Sequence, residues 1–447
     1  MILENPKTLI DMFLNNPDFA FVDVHGHLFS WYEIPDSYIK TRAPFREKFL
    51  RRKRIRWMAG ILSFLWPLKD YRYITYLFKM LEKRIVQQSF SLRDEMFGAN
   101  VGLMVLNMMD LGMSSFGDKP EIPWKNQINH MKEVARYHYG VLMPFVHIDP
   151  RRPESVELAI EALEKKGFLG VKMYPALGWN PWPNAPINDL TVKDNLTTFY
   201  NYAVEKQIPI NAHCSRGGAY SDQTMDDEAK RLSCTDPNNW ARLAQRYPDI
   251  RLNLCHSGQD IQHLVNPIIG EDNWAYIGMD LCRTYKNIYM DLAYNDQAHD
   301  PDERLAYFQG LNKELAFQSE EHKYNLKKKI MVASDWPMMR HTWTLKQWFE
   351  PFLENLPAGM MIDLVRYNAL RFLFADLNFP ARIRRAFQKR AADTPAPLRD
   401  SLKKLKSEQK KEKKNEHESD ATRTGPDGPG ANAGRADSTD RSNQGQS

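Results

Sequence analysis

The sequence predicts a closed eight-stranded α/β barrel, the (β/α)8 or TIM-barrel architecture, on three observations. Eight short apolar or β-branched runs recur along the chain, longer helical patterns fall between several of them, and His, Lys or Asp stands at or beside the C-terminal end of five runs. Strands that alternate with helices build parallel βαβ units, and a barrel of such units gathers its functional groups at the C-terminal strand ends. With 447 residues, 43% of them hydrophobic, the chain can bury one large barrel and still carry appendages.

The runs come in order. FAFVDV precedes His25, followed by VGLMVLNM at 101, GVLMPFVHI at 140 and FLGVKMY at 168. IPINA then leads to His213, IRLNLC to His256, NIYMDLAY lies at 287, and KIMVAS leads to Asp335. Between them PESVELAIEALEKKG at 153, NLTTFYNYAVEKQ at 195 and PNNWARLAQRYPD at 237 read as helices.

At the end of the first run stand two histidines separated by Gly26. In an extended strand alternate side chains share a face, so His25 and His27 converge on one point, as a metal ion requires. A pair of hydrogen-bonded polar residues at a strand–loop junction would look the same. His213, His256 and Asp335 occupy equivalent positions on later strands, and Lys172 lies in the fourth run. A lone histidine in such a place is usually structural, whereas three or four nitrogen and oxygen ligands with one open position describe a catalytic metal site.

The order HxH, Lys, His, His, Asp on strands one, four, five, six and eight resembles the amidohydrolase superfamily. The phrases VDVHGHL, GFLGVKMYPALGWNP, IPINAHCS, RYPDIRLNLCHSG, ASDWP and YNALRFLF, between about residues 19 and 376, are similar to the amidohydrolase-related group. That group also contains aminocarboxymuconate semialdehyde decarboxylase and resorcylate-type decarboxylases. The resemblance implies one divalent metal, with zinc the expected ion, held by His25, His27, His213 and Asp335. It implies that His256 orients the attacking water or polarises the substrate. Zinc lowers the pKa of bound water to about 7, and Asp335 would then accept the proton and return it to the leaving group. In related two-metal sites the fourth-strand lysine is carboxylated; GVKMYP is closer to the single-metal group, so an unmodified Lys172 facing the barrel interior is expected.

Other residues near the site carry two readings each. Arg216, after HCS, is either a bidentate clamp for a substrate carboxylate or an exposed loop arginine. Cys214 and Cys255 each neighbour a histidine, and strand alternation would turn both toward the helices. Asp23 shares the histidines' face one layer deeper, as a partner behind them or a structural cap. Tyr174, His147 and Asp149 fall near the expected mouth without an assigned role.

Composition sets the remaining expectations. Four cysteines without motif spacing and an N-terminus lacking a basic segment followed by an apolar one suggest a reduced, cytoplasmic protein. The net charge of +5 is modest, and no nucleic-acid partner is expected. Residues 40–56 nevertheless hold nine basic residues against one acid, and an apolar, aromatic stretch follows directly. The segment 40–96 reads as a helical insertion or cap within a 1–390 barrel domain. It packs on the barrel or a second subunit, or it lies, with 381–390, against the inner face of a membrane through 40–68. Residues 391–447 read as a disordered polar tail. A metal-dependent hydrolase of an amide, lactone or related bond in a small molecule is the leading functional reading. A metal-dependent decarboxylase of an aromatic or unsaturated acid is the first alternative, and a non-catalytic barrel at a membrane surface the second.

Overall fold

The computed structural model describes residues 20–35, 79–114, 118–138, 140–224, 226–265 and 272–374, with Asp400, Lys403, Lys404, Ser407 and Lys411. The chain divides into two units, Met1–Leu405 and Lys406–Ser447, and the barrel belongs to the first. The basic segments 40–68 and 381–390, and all of the tail except those five residues, lie outside the described residues. Among the described residues no helix is long and apolar enough to cross a membrane.

Eight parallel strands follow one another in order around a barrel. They are β1 (Phe21–His27), β2 (Val101–Asn107), β3 (Leu142–Ile148), β4 (Gly170–Met173), β5 (Ile210–Ser215), β6 (Leu252–Gly258), β7 (Ile288–Asp291) and β8 (Ile330–Met331). All eight apolar runs in the sequence thus become strands. Neighbours pair in parallel from β1 through β8. The seam between β8 and β1 is carried by the segment just past β8: Asp335 N–H donates to the His25 carbonyl at 2.7 Å and His27 N–H to that of Trp336.

Helices lie between the strands and after the last: α1 (Ile85–Gly98), α2 (Trp124–Tyr137), α3 (Ser155–Lys165), α4 (Leu190–Lys206), α5 (Glu228–Thr235), α6 (Pro237–Arg246), α7 (Trp274–Thr284), α8 (Arg304–Ala316) and, past β8, α9 (Leu345–Asn355). Their ends follow local chemistry. The Asp189 carboxylate caps α4 by accepting from Val192 N–H, and Asp236 caps α6 ahead of Pro237 in its first turn. In α3 the residues Val156, Ala159 and Leu163 form the buried stripe. The part of the 40–96 insertion that is described ends in α1, whose Glu95 accepts from Leu345 N–H at 3.1 Å at the start of α9.

Strand alternation sorts the core into two shells. Met104, Leu106, Val146, Val171, Met173, Ala212, Leu254, Met290 and Val332 belong to the large cluster shared with the helices. Val22, Val24, Leu103, Val105, Met143, Phe145, Tyr289 and Met331 pack with one another and with Leu370 and Phe372 of the closing helix α11 (Asn368–Leu373), which follows α10 (Ala358–Ile362) and one π-helical turn. Gly170 is required by close approach: a Cβ there would fall 2.5 Å from the Phe145 ring. Apolar side chains therefore fill the lower barrel, leaving polar groups for the upper end.

Asp23 fastens the seam. Its carboxylate accepts from His25 N–H at 3.0 Å, from Ser334 N–H at 3.2 Å and from the Ser334 hydroxyl, while burial lifts its pKa to about 7. It is a structural cap rather than a group facing the mouth. Asp23→Ala strands three buried donors and should destabilise the fold by about 3 kcal/mol, read from urea unfolding at neutral pH.

His299, in the turn after β7, stacks on Trp343 at 4.3 Å and Trp348 at 4.5 Å, and burial, with Arg304 nearby, lowers its pKa to about 4. The folded state keeps it neutral, while the unfolded chain takes up a proton near pH 6.5. Stability is therefore lost as pH falls from about 6.5 to 4. His299→Phe keeps the stacking without the proton, and urea unfolding at pH 7 and pH 4.5 should show a smaller difference between the two than wild type.

Candidate metal centre and cleft

The inward faces of the strands end in polar residues: Asn107 on β2, His147 on β3, Lys172 on β4, Asn211 and His213 on β5, Asn253 and Cys255 on β6, and Asp291 on β7. All are buried. Three of the four nominated ligands meet there. His25 Nε2 and His27 Nε2 lie 3.3 Å apart, and Asp335 Oδ1 lies 3.5 and 3.2 Å from them.

Each imidazole has its other nitrogen fixed. His25 Nδ1 is 3.1 Å from Asp291 Oδ2, and His27 Nδ1 is 2.9 Å from the Asn107 carbonyl. Both partners only accept, so each Nδ1 carries the hydrogen and each Nε2 presents a lone pair. Two lone pairs thus face a carboxylate oxygen that has no hydrogen-bond donor among the described residues. Such a convergence of buried acceptors fits a divalent cation. Burial, together with Lys172, lowers the pKa of His25 to about 3, so it stays neutral as a ligand must.

Lys172 points inward, as strand phase requires, with Nζ 3.1 Å from His25 Nε2 and 3.6 Å from Cys255 Sγ. The sulfur contact corrects one expectation. Cys214 does pack toward the helices, but Cys255 faces the barrel in step with Asn253 two residues earlier, and it is His256 that leaves strand geometry. His256, Ser257, Gly258 and Gln259 all have φ between +51° and +69°. That left-handed turn swings His256 back to the cleft, with its Nδ1–H donated to the Ala293 carbonyl at 2.9 Å and Nε2 left as an acceptor. Asp335, at φ +61°, is likewise turned out of β geometry. Non-glycine residues held this way cost about 1 kcal/mol or more each and concentrate at working sites. Burial pushes the Cys255 thiol well above its ordinary pKa, which makes it a poor nucleophile.

His213 stands apart from the three-ligand group. Its Nε2 is 2.9 Å from the Gly217 carbonyl, its ring stacks on Tyr174 at 4.1 Å, and it meets His256 edge-on at 4.9 Å. Tyr174 is held in turn by Ala219 N–H, which donates to its hydroxyl at 2.7 Å. Arg216 is turned aside: it stacks over Trp274 at 4.5 Å, donates to the Asp272 carbonyl at 2.8 Å and does not line the cleft. His147 and Asp149 are structural, the first accepting from Asp110 N–H and the second paired with Arg151 at 2.6 Å.

Asp291 carries no role in the sequence reading, yet it organises the site. One oxygen accepts from His25 Nδ1 and from Asn253 Nδ2 at 2.7 Å, the other from the backbone N–H of His256 at 2.9 Å and of Ala293 at 3.1 Å. Burial raises its pKa, but the His25 and His256 imidazoles outweigh that and hold it well below the usual carboxylate range. The signal was present: NIYMDLAY places an acid at the end of an apolar strand run, where a polar residue needs a reason.

Above these groups opens a cleft of about 720 Å³. Its floor is His27, His213, His256 and Asp335, and its walls include Phe29, Met109, Tyr174, Tyr220 and Tyr294. Among the described residues no Lys or Arg lines it.

The amidohydrolase family model matches residues 91–375, more than half of the chain, and the chain belongs to that family. The match begins after β1, so His25 and His27 precede it. None of the curated proteins compared matches the chain. Among solved structures it is similar to 5-carboxyvanillate decarboxylase from Novosphingobium aromaticivorans, with manganese and a nitrobenzoic acid bound. The TM-score is 0.50 at 12% identity, covering 80% of this chain and 97% of that one. A mutant of the same enzyme gives 0.51 at 11% identity, covering 80% and 98%. A dihydroxybenzoic acid decarboxylase from Polaromonas, with manganese and 2-nitroresorcinol, gives 0.47 at 13% identity, covering 81% and 98%. At these identities the likeness is one of fold.

Gly218 has φ +123°, and a Cβ there would meet the Tyr174 hydroxyl and lie 2.7 Å from His213 Nε2. Gly218→Ala should lose about 2 kcal/mol in urea unfolding and displace His213 from Tyr174 in a crystal structure of the variant.

Proposed function

We propose that this protein is a metal-dependent, non-oxidative decarboxylase of a planar, largely apolar carboxylic acid. The observation that carries the reading is the cleft: a buried cluster of two imidazoles and one carboxylate lies at or beneath the floor of an aromatic-lined cavity with no fixed cation among its described walls. Flat rings fit such walls, and in this arrangement an acid group has the ion as its cationic partner. The carboxyvanillate decarboxylases of similar fold add support. The sequence ranked hydrolysis first; the cleft's lining and these relatives favour the lyase reading.

His25, His27 and Asp335 would hold the ion. A divalent ion bound there supplies Lewis-acid charge stabilisation. Two imidazoles and a carboxylate suit zinc and manganese, the expectation from sequence being zinc and the ion in the carboxyvanillate decarboxylase structures being manganese. His213 and Tyr174 would position the acid from one side of the cleft. Breaking the carbon–carboxylate bond leaves a carbon that needs a proton. Asp335 and His256 are the groups placed to move one, His256 through Nε2 and Asp335 through a carboxylate that takes a proton from the substrate and returns it to carbon.

Purified protein should contain about one divalent ion per chain, and the double variant His25→Ala/His27→Ala should contain almost none; equal metal content in both would overturn the ligand assignment. Carboxylated aromatics, amides and lactones should then be screened against the metal-loaded protein. Release of carbon dioxide from the acids is the expected result, and turnover confined to amides or lactones would return the site to hydrolysis.

Asp335→Asn removes the proton acceptor while preserving size. It should lower turnover by a factor of about 10² to 10⁴ with the fold intact by circular dichroism, and unchanged turnover would remove Asp335 from the chemistry.

A further inference from the structure

Beneath the three-ligand cluster runs a chain of side-chain amides crossing the barrel from β2 to β7. Asn253 sits at its centre. The two hydrogens of its Nδ2 go to Asp291 Oδ2 at 2.7 Å and to Asn211 Oδ1 at 2.9 Å. Asn211 passes its own hydrogens to Asn107 Oδ1 at 3.0 Å and to the Val24 carbonyl at 2.8 Å. Each end of the chain reaches one histidine of the cluster: Asp291 holds His25 Nδ1, and the backbone carbonyl of Asn107 accepts from His27 Nδ1. All three asparagines are buried, at 0 to 1% exposure, so water does not substitute for these bonds.

The direction of donation is forced. Asp291 only accepts, so Asn253 must turn its NH2 toward it; that NH2 then faces Asn211, which must answer with oxygen and send its own NH2 to Asn107. Flipping Asn253 or Asn211 would set oxygen against oxygen, and flipping Asn107 would set NH2 against NH2. The arrangement leaves Asn253 Oδ1 and Asn107 Nδ2 without partners among the described residues, a cost in a buried place that shows where the stronger demand lies.

We propose that Asn253 is a positioning residue that fixes the carboxylate of Asp291 and through it, together with Lys172 Nζ 3.1 Å from Nε2, the tautomer of His25, so that the Nε2 lone pair is presented to the ion. The proposal rests on the metal reading above, and the test separates the two. Asn253→Leu fills a similar volume and offers no donor. In the metal-free protein, nitrogen-15 spectra of the histidines should show His25 as the Nδ1–H tautomer in wild type and as a mixture of tautomers in Asn253→Leu. Titration of metal-free protein with Mn2+ should give a Kd about 10- to 100-fold weaker for the variant, the usual effect of removing a partner behind a metal-bound histidine. Asn211→Leu leaves the Asn253–Asp291 bond standing and should keep the wild-type His25 tautomer and a Kd within about threefold of wild type. Should Asn253→Leu fail to fold, by near-ultraviolet circular dichroism, Asn253→Ala carries the same two measurements. An unchanged His25 tautomer in the folded Asn253 variant, or equal losses in the Asn211 and Asn253 variants, overturns the proposal. A wild-type protein that takes up no Mn2+ defeats the metal reading, and the tautomer measurement still decides the role of Asn253.

Discussion

The seam between β8 and β1 is the constraint on which the rest of the site depends. Asp335 N–H donates to the carbonyl of His25, and Ser334 donates to Asp23 two residues earlier on β1. These bonds close the barrel. They also bring the carboxylate of Asp335 beside the imidazoles of His25 and His27, because a backbone hydrogen bond between two residues fixes the separation of their side chains to within a few ångströms. Closure and ligand convergence are thus one geometric event. Asp335 must leave strand conformation to make this bond, at φ +61°, and the closed seam is what over-determines that strained residue.

Burial then decides the charge state of what has been gathered. His25, His213 and His256 all have lowered pKa values, with desolvation the largest cause in each. They are neutral at physiological pH, and neutral imidazole is the form that ligates or accepts. Asp291 goes the other way. Although burial works against its charge, two backbone N–H groups, one amide and one imidazole N–H surround it, so it remains an anion inside the barrel. Two buried carboxylates, Asp291 behind the cluster and Asp335 within it, outweigh the Lys172 ammonium 3.1 Å from His25 Nε2, so the site suits a cation.

Most of this frame was legible in the sequence because it depends on period. Apolar runs of strand length and helical stripes pointed to all eight strands, and residues adjacent to the run ends nominated His25, His27, His213, His256 and Asp335, of which His25, His27 and Asp335 converge. Alternation also placed Lys172, Val171 and Met173 on their proper faces. It failed where the chain stops being a strand: Cys255 keeps step with Asn253, whereas His256 is swung back to the cleft because four consecutive residues adopt left-handed φ, and only Gly258 among them announces that in the sequence. On β1 the register with β2 shifts between Phe21 and Val22 and again between Asp23 and Gly26, which lets Val22 and Val24 join the inner core while the histidines above still face the cleft. Arg216 was undecidable because its fate depends on Trp274 and Asp272, more than fifty residues away, and loop partners leave no periodic trace. Asp291 was visible but unranked, since nothing local distinguishes an acid behind a ligand from one that caps a strand.

The lining of the cleft bears on why a carboxylate would react there. Transfer of an anion from water into a cavity walled by Phe29, Met109, Tyr174, Tyr220 and Tyr294 is costly unless a cation meets it, and the described walls provide none. For the proposed acid, the ion held by His25, His27 and Asp335 is then the partner of its charged end, while the ring lies among side chains that favour neutral, planar groups. Loss of carbon dioxide followed by protonation of the carbon would replace the anion with neutral molecules that those walls accommodate without a counter-charge. In the proposed reaction the carbon would take its proton from the cleft floor, where Asp335 would hold the one it accepted from the acid group and His256 would relay it through Nε2. For the proposed reaction an apolar cleft over a polar floor would do two things at once: it would raise the free energy of the bound acid relative to its products, and it would place the returning proton at Asp335 and His256.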